Sequence, residues 1–247
     1  MSRAVVLQHV AFEGPGRIVP VFRDFGIPVE VRHLYRGDEV PSDPEGMRIL
    51  IVMGGPMGVA DVGRSEYPFL AQEVSLLKRM IVEDRAVLGI CLGAQLIAHA
   101  AGAKVYRNAD LADQNKTVAE VGWAGIELPS PGGTEPIMMG LMEGAPMFHW
   151  HFDTFDLPAG GVLMASTRAC RNQAFRLKRR VLGFQFHFEM DEAGIEAMLA
   201  NGRQTILDVL GPAGEKMVRE DTGRYYGTHR RLGDGMLRNL VQFLRLC

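Results

Sequence analysis

Apolar residues in the first hundred positions follow two alternating patterns, short β-branched runs and longer stretches with helical spacing. The short runs predict strands at residues 4–7, 29–33, 48–52 and 87–90. The helical spacing predicts helices at residues 17–25, 66–83 and 92–101, and the glycines that follow the first and third suit left-handed helix ends. Strands that alternate with helices are typical of a parallel sheet covered by helices, so we predict a doubly wound layer.

The pattern changes after residue 104. Short apolar runs broken by Pro and Gly predict strands at residues 121–128, 146–151, 162–166, 173–177 and 181–187, in an antiparallel or mixed arrangement. Beyond residue 189 the spacing is helical, most strongly at 191–210 and 233–246. The sequence shows no linker or repeat. We therefore predict one α/β domain over residues 1–247, with a mixed, mostly parallel central sheet flanked by helices at about 4–190 and a helical C-terminal tail at 191–247.

Composition and charge narrow the class of partner. The 247 residues are 47% hydrophobic, enough for a sizeable core, and a formal net charge of −2 gives no basic surface for nucleic acid or an anionic membrane. Three cysteines are too few for a disulfide framework, and the apolar run at residues 1–10 is too short for a signal peptide or a membrane span. We expect a cytoplasmic protein that acts on a small neutral or zwitterionic substrate.

The stretch 87–93, with the sequence VLGICLG, places Cys91 where an apolar strand runs into a helix. A side chain at such a turn stands clear of the sheet on a strained backbone and needs very small neighbours, a need that Gly89 and Gly93 meet. The helix that follows directs its N–H groups and positive dipole end at the sulfur, so we expect a lowered thiol pKa and a reactive Cys91. The alternative, a buried core cysteine, leaves both glycines unexplained.

A thiolate nucleophile needs a base, and the base needs a partner that orients it. His187 and Glu189 fit because residues two apart on a strand project to one face, although such a pair taken alone is more often a surface feature. The loop after the third strand carries Gly54 and Gly55, which let a ligand approach the backbone; an ordinary glycine turn is the alternative. We predict the N–H groups of Gly55 and Leu92 as the oxyanion donors, because the ends of parallel strands open into one crevice.

A second cluster of candidate ligands lies at residues 149–153. His149, His151 and Asp153 alternate along a predicted strand, so a metal site is one interpretation. Thr154 stands where metallohydrolases of the lactamase type usually carry a further histidine, and we therefore expect no metal. Instead, His151 and Asp153 are predicted to line the substrate pocket as polar contacts. The other histidines and cysteines join no site that the sequence allows us to build: His9, His33, His99, His229, Cys170 and Cys247.

Three of these segments together resemble the class I glutamine amidotransferases, also called triad amidotransferases: residues 89–95 (GICLGAQ), residues 54–56 (GGP) and His187-x-Glu189. The resemblance runs from about residue 5 to 189 and is greatest to stand-alone members similar to the amidotransferase domain of GMP synthase, with support from residues 150–153 (WHFD) and 185–187 (QFH). It implies a flavodoxin-like fold, with Cys91 as nucleophile, His187 as acid and base, and Glu189 as its orienting partner. It also implies that Gln95 contacts the substrate.

Phe188 departs from the family pattern, which usually has proline between the histidine and the glutamate. The change leaves the strand end less rigid, but we expect the three catalytic residues to keep their arrangement. The stretch after Glu189 is too short for a synthetase domain that would consume ammonia. Any acceptor of ammonia is therefore expected on another chain.

The resemblance implies that Cys91 attacks the γ-carboxamide of glutamine or of another γ-glutamyl compound, and that the resulting thioester is hydrolysed to glutamate without a metal or organic cofactor. Three functions stay open. The protein is an amidotransferase that supplies ammonia to a separate synthetase subunit, a free-standing γ-glutamyl peptidase with the same catalytic residues, or a non-catalytic regulatory or binding protein on the same fold. The intact set of catalytic residues argues against the third.

Overall fold

The structure, a computed structural model, describes residues 3–109 and 116–246 as a layered arrangement of strands and helices. The strands are β1 (Arg3–Gln8), β2 (Val29–His33), β3 (Met47–Val52), β4 (Val87–Ile90), β5 (Val105–Arg107), β6 (Glu120–Ile126), β7 (Ala145–His151), β8 (Asp153–Phe155), β9 (Val162–Ala165), β10 (Ala174–Leu177) and β11 (Val181–Phe184). The α-helices are α1 (Ile18–Asp24), α2 (Pro68–Val82), α3 (Leu92–Ala100), α4 (Glu192–Asn201), α5 (Arg203–Leu210) and α6 (Gly214–Phe243). Cys247 lies outside the described residues.

Seven strands form one sheet in the order β2-β1-β3-β4-β11-β10-β9, and two antiparallel pairs, β5–β8 and β6–β7, lie beside it. The first five strands of that order run parallel, whereas β10 is antiparallel to both of its neighbours. The predicted mixed, mostly parallel sheet is therefore confirmed. The parallel pairing of β11 with β4 places Phe184 opposite Ile90. The segments that follow these two residues, which carry His187 and Cys91, consequently start side by side.

The sheet is buried on both faces by helices. On β1, Ala4 and Val6 belong to a core shared with α1 and α6, whereas Val5 and Leu7 belong to a core shared with α2 and α3. This two-residue alternation is what a strand with two covered faces requires. The sheet therefore lies between two layers of helices, and the loops that follow its parallel strands lie at its carboxyl edge.

The strand predicted at 181–187 ends earlier, at Phe184. Gln185 still donates its N–H to the carbonyl of Gln173, but His187 donates its N–H to the carbonyl of Phe148 in β7, at 2.8 Å. The chain thus passes from the large sheet to the β6–β7 pair just before Glu189. The sequence missed β5 and β8 because each strand is only three residues long.

The C-terminal helices also differ from the prediction. The helix predicted at 191–210 starts as expected, with the Asp191 carboxylate accepting the Gly194 N–H at 2.8 Å, but Gly202 divides it into α4 and α5. Trp150 packs so closely on Gly202 that an added Cβ would overlap its indole ring. This contact with a distant strand, invisible in the local pattern, places the break.

Helix α6 begins at Gly214 rather than at residue 233. Glycines within its first half, including Gly223 and Gly227, weaken the helical signal of the sequence there. Its second half packs into the core that covers one face of the sheet through Met236 and Leu237. None of the described helices is long and apolar enough to cross a membrane.

Candidate active site

Cys91 occupies a sharp turn between β4 and α3. Its backbone has φ of +53° and ψ of −109°, a conformation that costs a non-glycine residue of the order of 1–3 kcal/mol. An added Cβ on Gly89 would lie 2.5 Å from the carbonyl of Gly93, and one on Gly93 would overlap the carbonyl oxygen of Val52. Both glycines are therefore required for the turn to pack against the sheet, as the sequence predicted.

His187 and Glu189 form a buried pair. Nδ1 of His187 lies 2.8 Å from Oε1 of Glu189, and both side chains are 1% exposed. The other ring nitrogen, Nε2, has no hydrogen-bond partner among the described residues apart from the neighbouring thiol of Cys91. The carboxylate thus fixes the orientation of the ring and leaves Nε2 available for proton exchange.

Other elements hold the segment that carries Glu189, where the usual proline is replaced by Phe188. The Arg17 guanidinium donates to the carbonyl of Phe188, and the Arg17 backbone N–H donates to the carbonyl of Glu189 at 2.9 Å. Asp234 of α6 pairs with Arg17 at 3.4 Å, and an added Cβ on Gly233 would overlap the Phe188 carbonyl. Contacts from Arg17, just before α1, and from α6 therefore supply the rigidity that proline would give.

The loop after β3 is fixed by a buried charge pair. The ring of His9 donates from Nδ1 to the carbonyl of Gly54 at 2.9 Å, while its Nε2 lies 3.1 Å from both carboxylate oxygens of Glu73. In a trans peptide the C=O and the following N–H point in opposite directions. Because His9 holds the Gly54 carbonyl, the Gly55 N–H is directed away from His9.

Gly54 is the point where three functional groups meet. An added Cβ there would overlap the carboxylate of Glu13, and would lie 3.2 Å from Cε1 of His187 and 3.4 Å from Cβ of Cys91. Only glycine leaves room for this arrangement. The sequence predicted Gly54 as part of the site but did not predict Glu13.

A cavity of about 650 Å³ opens over the turn at Cys91. Gln95 borders it and donates from Nε2 to the side-chain oxygen of Gln185 at 3.1 Å. The predicted residues that line this cavity are Gly55, Cys91, Leu92, Gln95, His151 and Asp153, and Glu13 joins them. The structure thus brings together chain segments that are far apart in the sequence.

His151 and Asp153 play different structural parts at the cavity wall. The ring of His151 is occupied on both sides, by the Asp153 carbonyl at Nδ1 (3.1 Å) and by the Glu120 carboxylate at Nε2 (3.0 Å). The side chain of Asp153 is 30% exposed and pairs with Arg107 at 3.4 Å. Asp153 therefore presents a carboxylate to the cavity mouth, whereas the polar groups of the His151 ring are used within the protein.

The electrostatics of Cys91 and His187 differ from the sequence-based expectation at Cys91. Burial raises the pKa of the thiol, and the hydrogen bond and charge of His187, together with the Leu92 N–H, offset this only in part. The predicted lowered pKa is therefore wrong, because desolvation outweighs the helix start. Burial lowers the pKa of His187, but Glu189 and Cys91 outweigh it and raise this pKa well above its usual value. The imidazole is consequently a strong acceptor for the thiol proton.

Of the residues considered for a metal, His149 and His151 stay together in the structure, whereas Asp153 lies apart from them. The ligand atoms of Glu120, His149 and His151 lie within 4.8 Å of one another, and Asp153 is not part of this group. Thr167 donates to Glu120 at 2.8 Å, in addition to the contact from His151. Burial lowers the pKa of His149 to about 4, so its ring is neutral at physiological pH. The group is a buried polar cluster on the β6–β7 pair, in which Glu120 is bonded to His151 and Thr167.

Sequence reasoning missed the contribution of the segment after β1. His9 and Glu13 follow this strand directly, at the carboxyl edge of the sheet where β3, β4 and β11 deliver the other site residues. Their position at that edge is the signal that could have identified them. The residue pattern alone gave none, because neither belongs to a recognisable motif.

With this geometry established, comparison with known proteins assigns the chain. The family model for "Glutamine amidotransferase class-I" matches residues 16–202, a span that includes the Cys91 turn and the His187–Glu189 pair. The chain belongs to the class I glutamine amidotransferase family. In this family the expected reaction is hydrolysis of the glutamine side-chain amide.

Individual relatives agree with this assignment. The chain is 28% identical to the glutamine amidotransferase-like protein YfeJ of Salmonella typhimurium over 214 residues, which cover 86% of each protein. It is 31% identical to the glutamine-hydrolysing GMP synthase of Porphyromonas gingivalis over 159 residues, or 64% of this chain but only 28% of that enzyme.

Solved structures show the same fold. A glutamine amidotransferase from Thermotoga maritima superposes with a TM-score of 0.80 at 25% identity, covering 98% of this chain and 97% of that one. Another from Methylobacillus flagellatus gives a TM-score of 0.84 at 24% identity, covering 98% and 95%. The likeness extends over the C-terminal helices as well as the sheet.

Proposed function

We propose that this protein hydrolyses the side-chain amide of glutamine, or of another γ-glutamyl compound, through a thioester on Cys91. The observation that carries the proposal is that a thiol at a strained strand-to-helix turn borders the cavity on one side and contacts the buried His187–Glu189 pair on the other. Each feature alone has a structural explanation. Together with the Gly55 loop they supply a nucleophile, an oriented base and oxyanion donors.

In the first half of the reaction, Nε2 of His187 takes the thiol proton and the sulfur of Cys91 attacks the γ-carbonyl carbon. The π electrons move to the oxygen, where the N–H groups of Gly55 and Leu92 stabilise the charge. His187 then gives the proton to the amide nitrogen, and the oxyanion re-forms the carbonyl. The C–N bond breaks with its electron pair on nitrogen, so that ammonia leaves and a γ-glutamyl thioester remains.

In the second half, water replaces the amine. His187 takes a proton from the water, whose oxygen attacks the thioester carbon. The oxyanion then re-forms the carbonyl, the C–S bond breaks with its electron pair on sulfur, and His187 returns its proton to that sulfur as glutamate is released. Glu189 acts throughout by holding Nδ1 of the ring, so that Nε2 exchanges each proton.

We assign the amino-acid end of the substrate to the wall formed by Gln95 and Asp153. The partly exposed carboxylate of Asp153 suits the α-ammonium group of glutamine. Gln95 stands on α3 one turn after Cys91, and its side-chain amide borders the cavity. These contacts would place the γ-carbonyl over the thiol.

The fate of the ammonia defines two candidate functions. The amidotransferase function requires a separate synthetase subunit as acceptor, and the likeness to one part of a GMP synthase supports it. The size of the cavity, about 650 Å³, favours a second candidate, a γ-glutamyl peptidase, because this volume is typical of sites for ligands larger than one amino acid. Both use the same catalytic residues.

Glutamate release from L-glutamine and from a γ-glutamyl dipeptide, measured side by side, tests the proposal. We expect Cys91→Ser to lower release from the preferred substrate by at least about 1,000-fold, because the hydroxyl is a far weaker nucleophile in this site. Cys170→Ser is the matched control, since Cys170 is buried outside the cavity. Faster cleavage of the dipeptide identifies a peptidase, and faster cleavage of glutamine identifies an amidotransferase.

Activity that survives Cys91→Ser would contradict the mechanism. A wild-type protein that cleaves neither compound, and that a diazoketone analogue of glutamine does not label at Cys91, would support the non-catalytic function instead.

A further inference from the structure

The mechanism proposed above gives no part to Glu13, yet this residue is built into the site. It lies on the loop between β1 and α1, is only 5% exposed, and borders the same cavity as Cys91. An added Cβ on Gly54 would overlap the Glu13 carboxylate and would lie 3.2 Å from Cε1 of His187. Glu13 is therefore close to the ring that delivers the proton to the leaving nitrogen in the proposed mechanism.

Glu13 forms no ion pair with another of the described residues, and the ring nitrogens of the two histidines near it face other groups. Burial raises the pKa of Glu13, the nearby charges of His187 and His9 lower it, and that of Glu189 raises it again. Among the described residues that line the cavity, Arg107 is the one with a permanently positive group, and it pairs with Asp153. Because this buried carboxylate has no ion-pair partner of its own, we infer that a positively charged group of the ligand completes its surroundings.

We propose that Glu13 recognises the leaving nitrogen of the substrate and stabilises the positive charge that this nitrogen acquires during cleavage. The inference rests on the proposed function and deepens it. In this role Glu13 favours amides over esters, because the leaving atom of an amide bears N–H groups.

The charge arises at one step of the reaction. In the tetrahedral intermediate the nitrogen is no longer conjugated with the carbonyl, and its lone pair takes the proton from Nε2 of His187. The nitrogen is then a cationic –NH3 group until the oxyanion re-forms the carbonyl and the C–N bond breaks, with the electron pair of that bond passing to nitrogen. Accepting an N–H from this group places the negative charge of Glu13 beside the positive charge when the barrier is highest.

An ester with the same glutamyl group distinguishes recognition of the leaving nitrogen from other roles of Glu13. The γ-methyl ester of L-glutamate presents an oxygen without N–H groups, and its leaving group departs as neutral methanol. The acyl group, the α-ammonium group and the thioester are otherwise identical in the two substrates. An interaction with N–H groups on the leaving atom is therefore available with glutamine and not with the ester.

The experiment compares kcat/KM for glutamate release from L-glutamine and from its γ-methyl ester analogue, using wild-type protein and Glu13→Gln. The substitution keeps the size of the side chain and removes its charge. We expect a loss of about 10- to 100-fold on glutamine, the usual range for a hydrogen bond to a charged group, and less than about threefold on the ester. Asp153→Asn is the matched control, because it removes a cavity carboxylate on the glutamyl side and is expected to lower both rates equally.

Equal losses on the two substrates in Glu13→Gln would overturn the inference and would indicate a structural role or recognition of the α-ammonium group. Unchanged rates on both would overturn it as well. These outcomes leave the proposed function standing, provided that the wild-type protein cleaves either compound and Cys91→Ser does not. Wild-type protein that cleaves neither contradicts the proposed function and this inference together.

Discussion

At the scale of single residues, the buried pair of His9 and Glu73 shows how a charged pair can position a loop to which neither residue belongs. Both ring nitrogens of His9 face acceptors, one on Gly54 and one on Glu73. Burial lowers the pKa of His9, but the Glu73 carboxylate and the Gly54 carbonyl outweigh it and raise this pKa. The protonated ring therefore donates in both directions and holds the peptide plane that carries the Gly55 N–H.

This arrangement predicts a catalytic defect from a residue that does not line the cavity. Glu73→Gln removes the charge that keeps His9 protonated, so the peptide between residues 54 and 55 loses its anchor. We expect kcat for glutamine hydrolysis to fall by about tenfold, with a smaller change in KM, because the oxyanion forms only in the transition state. Removing one partner of a buried pair should also lower the free energy of unfolding by about 3 kcal/mol in urea titrations.

The exposed Glu66, which lies just before the same helix, provides the control, and Glu66→Gln is expected to change neither quantity. A Glu73→Gln protein that retains the wild-type kcat at a temperature where it is fully folded would contradict the positioning role of this pair.

At the scale of elements, the sequence pattern predicted the strands and turns that depend on neighbouring residues. It missed the element boundaries that depend on contacts between residues far apart in the chain. The strands of the parallel sheet and the turn at Cys91 follow from apolar runs and paired glycines, and both match the structure. The division between α4 and α5 depends on the contact of Trp150 with Gly202, and the end of β11 depends on the bond from His187 to Phe148. These contacts join residues far apart in the chain, and no local pattern encodes them.

Helix α6 offers a comparison between two glycines of one element. An added Cβ on Gly233 would overlap the Phe188 carbonyl next to Glu189, whereas one on Gly235 would meet nothing within 4 Å. We expect Gly235→Ala to raise the free energy of unfolding by up to about 1 kcal/mol through helix propensity. Gly233→Ala should instead lower both the stability and the rate of glutamine hydrolysis, because α6 must move away from the segment that carries Glu189.

Thermal unfolding and initial rates measured on the two variants test this difference. Equal behaviour of Gly233→Ala and Gly235→Ala would mean that α6 does not hold the catalytic segment in place.

At the scale of the whole molecule, the site is assembled at one edge of the sheet by four adjacent strands. The loops after β1, β3, β4 and β11 supply, in that spatial order, the groups around Gly54. Sequence reasoning identified three of these loops, because a thiol, a glycine pair and a His-x-Glu pair are recognisable chemistry. It missed the loop after β1, because His9 and Glu13 can be recognised as site residues only once the strand order places β1 beside β3.

Buried neutral histidines should make the stability of the molecule depend on pH. Burial, with a smaller effect from Arg17, lowers the pKa of His229 to about 3, against 6.5 for the unfolded chain. The unfolded state therefore binds a proton that the folded state excludes, so stability is complete above pH 6.5 and is lost as the pH falls towards 3. Between pH 8 and pH 5 the loss from this residue is roughly 2 kcal/mol.

The variant His229→Phe isolates this contribution and keeps an aromatic ring against Trp123, which His229 contacts edge-on at 5.1 Å. Relative to wild type, its free energy of unfolding in urea should rise by roughly 2 kcal/mol between pH 8 and pH 5. Taking the difference cancels the opposite contributions of His9 and His187, whose pKa values are raised. A difference that does not vary with pH would show that His229 does not titrate in this way.

The contacts of Arg17 and Gly233 with the segment that carries Glu189 also determine when this segment becomes fixed during translation. Translation delivers the chain from its N-terminal side, so Cys91 and His187 leave the ribosome before residues 233–234 exist. Until then the packing of α6 against the Phe188 carbonyl is missing, whereas the bonds from Arg17 to the Phe188 and Glu189 carbonyls can already form. The nascent polypeptide therefore carries Cys91 before the segment with Glu189 is fully held, and the proposed active site is complete only when α6 docks.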